Sequence, residues 1–214
     1  RAFVTNLGDS GRQGASTITQ QYVRNSLAER GYLEGDADQV SAATEQTTER
    51  KLREIKYALA LEKTQSKDEI LTGYLNIAPF GPITYGVEAA SQRYFSKSAS
   101  ELNYLESALL AGLVQSPVQY DPLAHPDAAK ERRDTVLAAM LEQGVVTQEE
   151  YDEGIATTVE SMLHPSISSE GCSGAESSKA YFCDYVLAQF LEDPTFGETR
   201  TERERMLKTQ GITI

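Results

Sequence analysis

ERKLREIKYALALE, residues Glu49–Glu62, is the stretch on which the reading of this chain turns. It reads as one helix. With Arg50 set at zero and about 100° added per residue, Glu54 falls at roughly 40° and Lys51 at roughly 100°, so one acid lies between two bases on one face. Leu52, Ile55 and Leu59 cover the opposite arc, while Tyr57, Ala58 and Leu61 fall beside the charges. Only Arg53, Lys56 and Ala60 are left to face plain solvent, so the helix is expected to be enclosed on most sides. A carboxylate and two cations on an enclosed face must pair or bind something, because unpaired buried charge is expensive. Periodicity alone leaves two readings open, a structural ion-pair network and an anion-binding site.

Upstream lies RQGASTITQQYVRN, Arg12–Asn25. Ser16 or Thr17 is placed to cap a helix carrying Ile18, Tyr22 and Val23, in which Gln21, Arg24 and Asn25 recur at helical spacing. The segment gathers hydroxyls, two amides and a glycine that permits close backbone approach, a set suited to the many oxygens of a sugar diphosphate. Taken alone, it also fits a helix cap followed by a solvated face. Residues 30–48, RGYLEGDADQVSAATEQTT, are polar, contain glycine and lack a period, and they read as a mobile loop.

Downstream, helix starts are well marked. Ser66 with Glu69, Ser98 with Glu101 and Thr147 with Glu150 each fit the capping box, in which side chains and backbone N–H groups satisfy one another. Pro126 at a first helical position and Gly144 past the last turn bracket another helix. IAPFGPITYG, residues 77–86, is a Gly/Pro loop, and residues 164–180 form the clearest linker-like segment. A helix, YFCDYVLAQFLED, follows, and LKTQGITI at the end reads as a candidate strand start. The chain is mainly α without internal repeats, and its main boundary falls near residue 160.

Composition narrows the function. The 214 residues, 40% hydrophobic, can bury one good core. A formal charge of -12, from 32 acids against 20 bases, argues against a nucleic-acid partner. Residues 1–56 hold eight bases and eight acids, so a site for an anion can survive in that neutral part. No run approaches the 18 or so apolar residues of a membrane helix, and Arg1 does not begin a signal peptide. His125 and His164 each precede a proline without metal-ligand company, and no metal site is assigned.

STITQQ followed by a basic residue and Asn, then RKLRE at Arg50–Glu54 and KDEILTGYLN at Lys67–Asn76, resembles in order the glycosyltransferase module of class A penicillin-binding proteins and monofunctional peptidoglycan glycosyltransferases. Thr84–Pro117 and RRDTVL at Arg132–Leu137 extend the resemblance, which covers roughly Arg1–Tyr151. Arg24 stands where many relatives carry Lys, and keeps the charge with a fork suited to phosphate. Within KDEILTGYLN, the residues Ile70, Leu71, Tyr74 and Leu75 read as core, and Asn76 as ending in a loop. Arg132 and Arg133 fall within an apolar arc and are expected to meet buried carboxylates.

The resemblance implies a lysozyme-like helical glycosyltransferase domain over residues 1–160 and, over 161–214, a linker toward a transpeptidase domain absent from this chain. It implies lipid II and the nascent glycan strand as substrates, joined by an inverting β-1,4 transfer that expels undecaprenyl pyrophosphate. Such a transfer needs a general base at the acceptor hydroxyl and positive charge at the leaving group. Glu54 matches the family's second catalytic acid. Ser16, Thr17, Gln20, Gln21, Arg24, Asn25, Arg50 and Lys51 are the expected substrate-binding set. The family's first glutamate, in a motif resembling EDxxFxxHxG, does not occur in these residues and is expected upstream of Arg1, together with a membrane anchor. No cofactor is required, though a divalent cation, Mg or Mn, is compatible with the pyrophosphate. Other cell-wall synthesis or division proteins are compatible partners. The expected location is the extracytoplasmic face of the plasma membrane, where Cys172 and Cys183 would pair, closing a short loop worth at most about 3 kcal/mol. A lysozyme-like lytic enzyme and a non-catalytic lipid II-binding module are the rival readings.

Overall fold

The computed structural model describes residues 16–166 and 179–209, and they are mainly α. Among them the sole β pairing is an isolated antiparallel bridge between Pro79 and Tyr85. They divide into two compact units, residues 16–31 with 37–166, and residues 32–36 with 179–209.

The first unit carries α1 (Ile18–Glu34, whose last residues pass into the second unit), α2 (Ala37–Thr44), α3 (Thr48–Leu61) and α4 (Lys67–Ile77). It continues with α5 (Val87–Phe95), a 3-10 turn (Ala99–Glu101), α6 (Tyr104–Leu113), α7 (Pro126–Glu142), α8 (Gln148–Ala156) and α9 (Val159–Met162). Its core centres on α6, a helix apolar nearly all round, with Leu105, Ala108, Leu109, Leu110 and Leu113 buried. Each fully buried leucine contributes about 2 kcal/mol of transfer free energy. Gly112 lets α7 approach closely, because a Cβ there would stand 3.1 Å from Arg132 Cγ. Gly154 of α8 does the same toward Leu137.

Local chemistry sets the helix ends. Ser66–Glu69 and Thr147–Glu150 form the expected capping boxes, and Asn103–Glu106 forms a further one at the start of α6. The Ser98–Glu101 box starts only the 3-10 turn. Past α7, Gly144 has φ +69, its N–H donates to Leu141 O and the Val145 N–H donates to Met140 O, so the two bonds close a Schellman motif. Gly86, at φ +85, sits so near Asn76 O that a Cβ would approach it to 2.7 Å. Tyr94 is fully buried and donates to Phe80 O at 3.0 Å, tying α5 to that loop. Burial, helped by the Asp121 carboxylate, pushes its phenol up to about 12.

Several sequence expectations are corrected. Residues 30–48 are not a loop. Arg30–Glu34 ends α1, Gly35 at φ +70 breaks the chain, and Ala37–Thr44 is a helix with Ala43 buried. Tertiary ties hold that polar helix: Gln39 Nε2 donates to Leu27 O at 3.4 Å and Arg53 Nη2 to Ala42 O at 2.5 Å. Asn76 lies inside α4 and Leu71 is exposed rather than core, though Ile70 and Tyr74 are buried. Among the described residues, Arg133 meets a carboxylate only in its neighbour Asp134, half-buried at 2.7 Å. Its remaining donors serve Gly154 O at 3.0 Å, Thr157 O at 2.8 Å and Met162 Sδ at 3.1 Å. Arg132 has a buried Nε without a hydrogen-bond partner.

In the second unit α10 (Ala180–Glu192), a 3-10 turn (Pro194–Phe196) and α11 (Arg200–Thr209) follow one another. Phe190 stacks on Phe196 with centroids 4.2 Å apart, and buried Arg203 donates to Leu191 O at 2.8 Å and Gly197 O at 2.5 Å. Leu207–Thr209 therefore belong to a helix rather than a strand. The rest of the expected strand, Gln210–Ile214, lies outside the described residues, as do Arg12–Ala15, Cys172 with its expected pairing to Cys183, and most of the linker-like segment.

Candidate active site

α3 is anchored at its start by Thr47, whose hydroxyl accepts from Arg50 N at 3.2 Å. One turn on, Glu54 is only 2% exposed. Arg50 Nη1 donates to its Oε1, and Arg50 Nε donates to Glu45 O, which fixes the guanidinium against the end of α2. Lys51 Nζ stands 3.6 Å from Glu54 Oε2 and donates to Ser16 Oγ just ahead of α1. The i,i+3 and i,i+4 spacing thus does what the helical wheel requires, bringing both bases to one acid.

The apolar side of α3 does not behave as the wheel suggested. Leu52 is 63% exposed and Leu59 58%, with Ile55 and Tyr57 also exposed, so the charged face points inward and the apolar face outward. An ordinary surface helix does the reverse. The inward face buries Arg50, Glu54 and the small Ala58, so the electrostatic contacts of Arg50, Lys51 and Glu54 supply much of what holds it.

Two cations against one carboxylate leave the cluster net positive. Arg50 is committed and buried, whereas Lys51 remains partly exposed, with Ser16 Oγ and Glu54 beside its ammonium. Among the described residues, Glu54 Oε2 is buried without a hydrogen-bond partner, a costly condition for a carboxylate oxygen unless a cation or a ligand group lies nearby.

The residues of α1 divide into groups. Thr17 and Gln20 cap the helix reciprocally, Thr17 Oγ1 accepting from Gln20 N and Gln20 Oε1 from Thr17 N, both at 3.2 Å. Gln21 Oε1 accepts from Tyr74 OH at 3.4 Å. Burial pushes that phenol up, and the positive charge of Arg24 partly offsets the shift. Asn25 is half-buried further along α1 and makes none of the cluster's contacts. The structure thus brings Ser16, Arg50, Lys51 and Glu54 together, and Gln21 to Tyr74. Sequence reasoning treated Tyr74 as core alone; only the contact across 53 positions shows its second part. It also missed Thr19, buried, whose hydroxyl donates to Glu62 Oε1 at 2.6 Å and ties α1 to the end of α3.

Residues 1–141 match the family model described as Transglycosylase. Penicillin-binding protein 1A of Streptococcus oralis is 36% identical over 194 residues, covering 89% of this chain and 27% of that protein. Penicillin-binding protein 2D of Bacillus subtilis is 45% identical over 141 residues, covering 66% of this chain and 18% of that one. The crystal structure of penicillin-binding protein 1A from Haemophilus influenzae is 24% identical and covers 85% of this chain and 22% of its own, with a TM-score of 0.43. The chain spans about a quarter or less of the length of these proteins. Matched over most of its length, the chain belongs to the transglycosylase family and holds a glycosyltransferase domain of the class A penicillin-binding protein kind.

Proposed function

We propose that this domain polymerises lipid II into β-1,4-linked glycan strands as part of a bifunctional cell-wall synthase working at the extracytoplasmic membrane face. The observation that carries the reading is the buried Glu54 held between Arg50 and Lys51 with Ser16 against the lysine. In the transfer, the acceptor 4-hydroxyl oxygen bonds to the donor's anomeric carbon from the face opposite the leaving group. The bond from that carbon to the pyrophosphate oxygen breaks, and the configuration inverts. Negative charge grows on the departing diphosphate, and preorganised cations aimed at it lower the barrier where they are shielded from water.

Lys51 and Arg50 supply that charge. Glu54 orients them, and removal of the acceptor's proton belongs to a glutamate other than Glu54, because Glu54 is turned to the two cations. Ser16, Thr17, Gln20, Gln21, Arg24 and Asn25 line the approach of phosphate and sugar oxygens. A divalent cation shared with the diphosphate would find a ligand in Glu54 Oε2, and would add charge there. No helix among the described residues is long and apolar enough to cross a membrane.

Full-length protein given lipid II is expected to make glycan polymer of increasing length and to leave preformed glycan intact. Shortening of preformed glycan would instead favour a lytic enzyme, and binding without extension a non-catalytic module.

A further inference from the structure

A groove of about 530 Å³ opens between the start of α1, the end of α3 and the start of α4. Its walls combine Ile18, Ile70 and Leu71 with Thr17, Glu62 and Lys67, so a largely apolar lining carries groups of both charges. It falls within the size of a small-ligand site. The Thr19 hydroxyl occupies one oxygen of Glu62, and Glu62 Oε2 and Lys67 Nζ form no hydrogen bond or ion pair among the described residues.

Position gives the groove its meaning. Thr17 lines it, while the adjacent Ser16 touches Lys51 of the ionic cluster. Glu62, which caps the end of α3, follows Glu54 by eight residues, about 12 Å along the axis and within roughly 80° around it. Groove and cluster therefore lie on one side of one helix. A substrate with its diphosphate at Lys51 would span the gap with one sugar ring and two or three residues of extended chain, at about 3.3 Å per residue.

Building on the proposed glycosyltransferase reading, in which the substrate lipid II is a disaccharide-pentapeptide on a lipid pyrophosphate, we infer that this groove takes the peptide branch of the lipid-linked sugar. Its apolar walls pack the small side chains, Glu62 Oε2 accepts from a peptide amine, and Lys67 at the start of α4 faces a peptide carboxylate. Such pairs at a groove rim set register more than affinity.

The test uses full-length protein with two lipid-linked disaccharide pyrophosphates, one bearing its peptide and one without it. Lys67→Glu reverses a charge at an exposed helix start where an acid is well tolerated, and Leu71→Trp fills the groove from an exposed position. Each variant should raise KM for the peptide-bearing substrate by about three- to five-fold, the size of an exposed charge pair, with kcat kept and the peptide-free substrate unaffected. Equal effects on both substrates, or none on either, overturn the groove assignment while leaving the glycosyltransferase reading intact. If the wild type extends neither substrate, the reading beneath falls and takes this inference with it.

Discussion

Glu54→Gln in the full-length protein is expected to lower kcat/KM for lipid II polymerisation by at least about a hundred-fold, the cost typical of removing one preorganised electrostatic element from a transition-state site. Glutamine keeps the shape and an acceptor for Arg50 but removes the charge that holds Arg50 and Lys51 in place. The circular dichroism spectrum should stay native. The melting temperature should fall by several degrees, since the buried guanidinium loses its counter-charge. A purely structural ion-pair network makes a different forecast, in which stability falls and turnover survives. Activity within about three-fold of wild type in a folded Glu54→Gln protein would remove Glu54 from the mechanism.

The second large effect lies away from the site. Arg133 is 0% exposed, and its donors satisfy Asp134 and the carbonyls of Gly154 and Thr157, binding the end of α8 to α7. Arg133→Met fills much of the volume but takes a charged donor from both carbonyls, leaving Gly154 O only the Thr157 N–H, and leaves Asp134 only Lys130. Loss of a buried charged donor of this kind costs about 3–5 kcal/mol, or about 10 °C in melting temperature for a domain of this size. Thermal denaturation measures it. Arg200→Ala serves as the control, because its ion pair with Glu204 is exposed and should shift the midpoint little. If the two variants melt alike, the buried arginine is not what joins these helices.

How much of this was legible in the sequence depends on the range of the interactions. Capping boxes at Ser66 and Thr147, and the proline and glycine around α7, act within a few residues and could be read directly. Asn103–Glu106 has the same spacing and was open to the same reading. The Arg50, Lys51 and Glu54 cluster is likewise local, one helical turn long. Residues 37–44 were misread because that helix has no apolar period; it is held by Arg53 reaching in to Ala42 O and by its own Gln39 reaching out to Leu27 O. The outward apolar face of α3 was misread for a different reason. A helical wheel shows that two faces differ, but only the partners in space decide which turns inward, and here the charges did. Thr19 with Glu62, 43 positions apart, leaves no periodic trace.

The central claim is that Lys51, poised beside Glu54, grips a diphosphate. The most direct measurement is the affinity of full-length protein for a short-chain prenyl pyrophosphate, compared between wild type and Lys51→Gln by titration calorimetry. Loss of one charge-assisted contact should weaken binding by about ten-fold or more. Equal affinity in the two proteins would contradict the account.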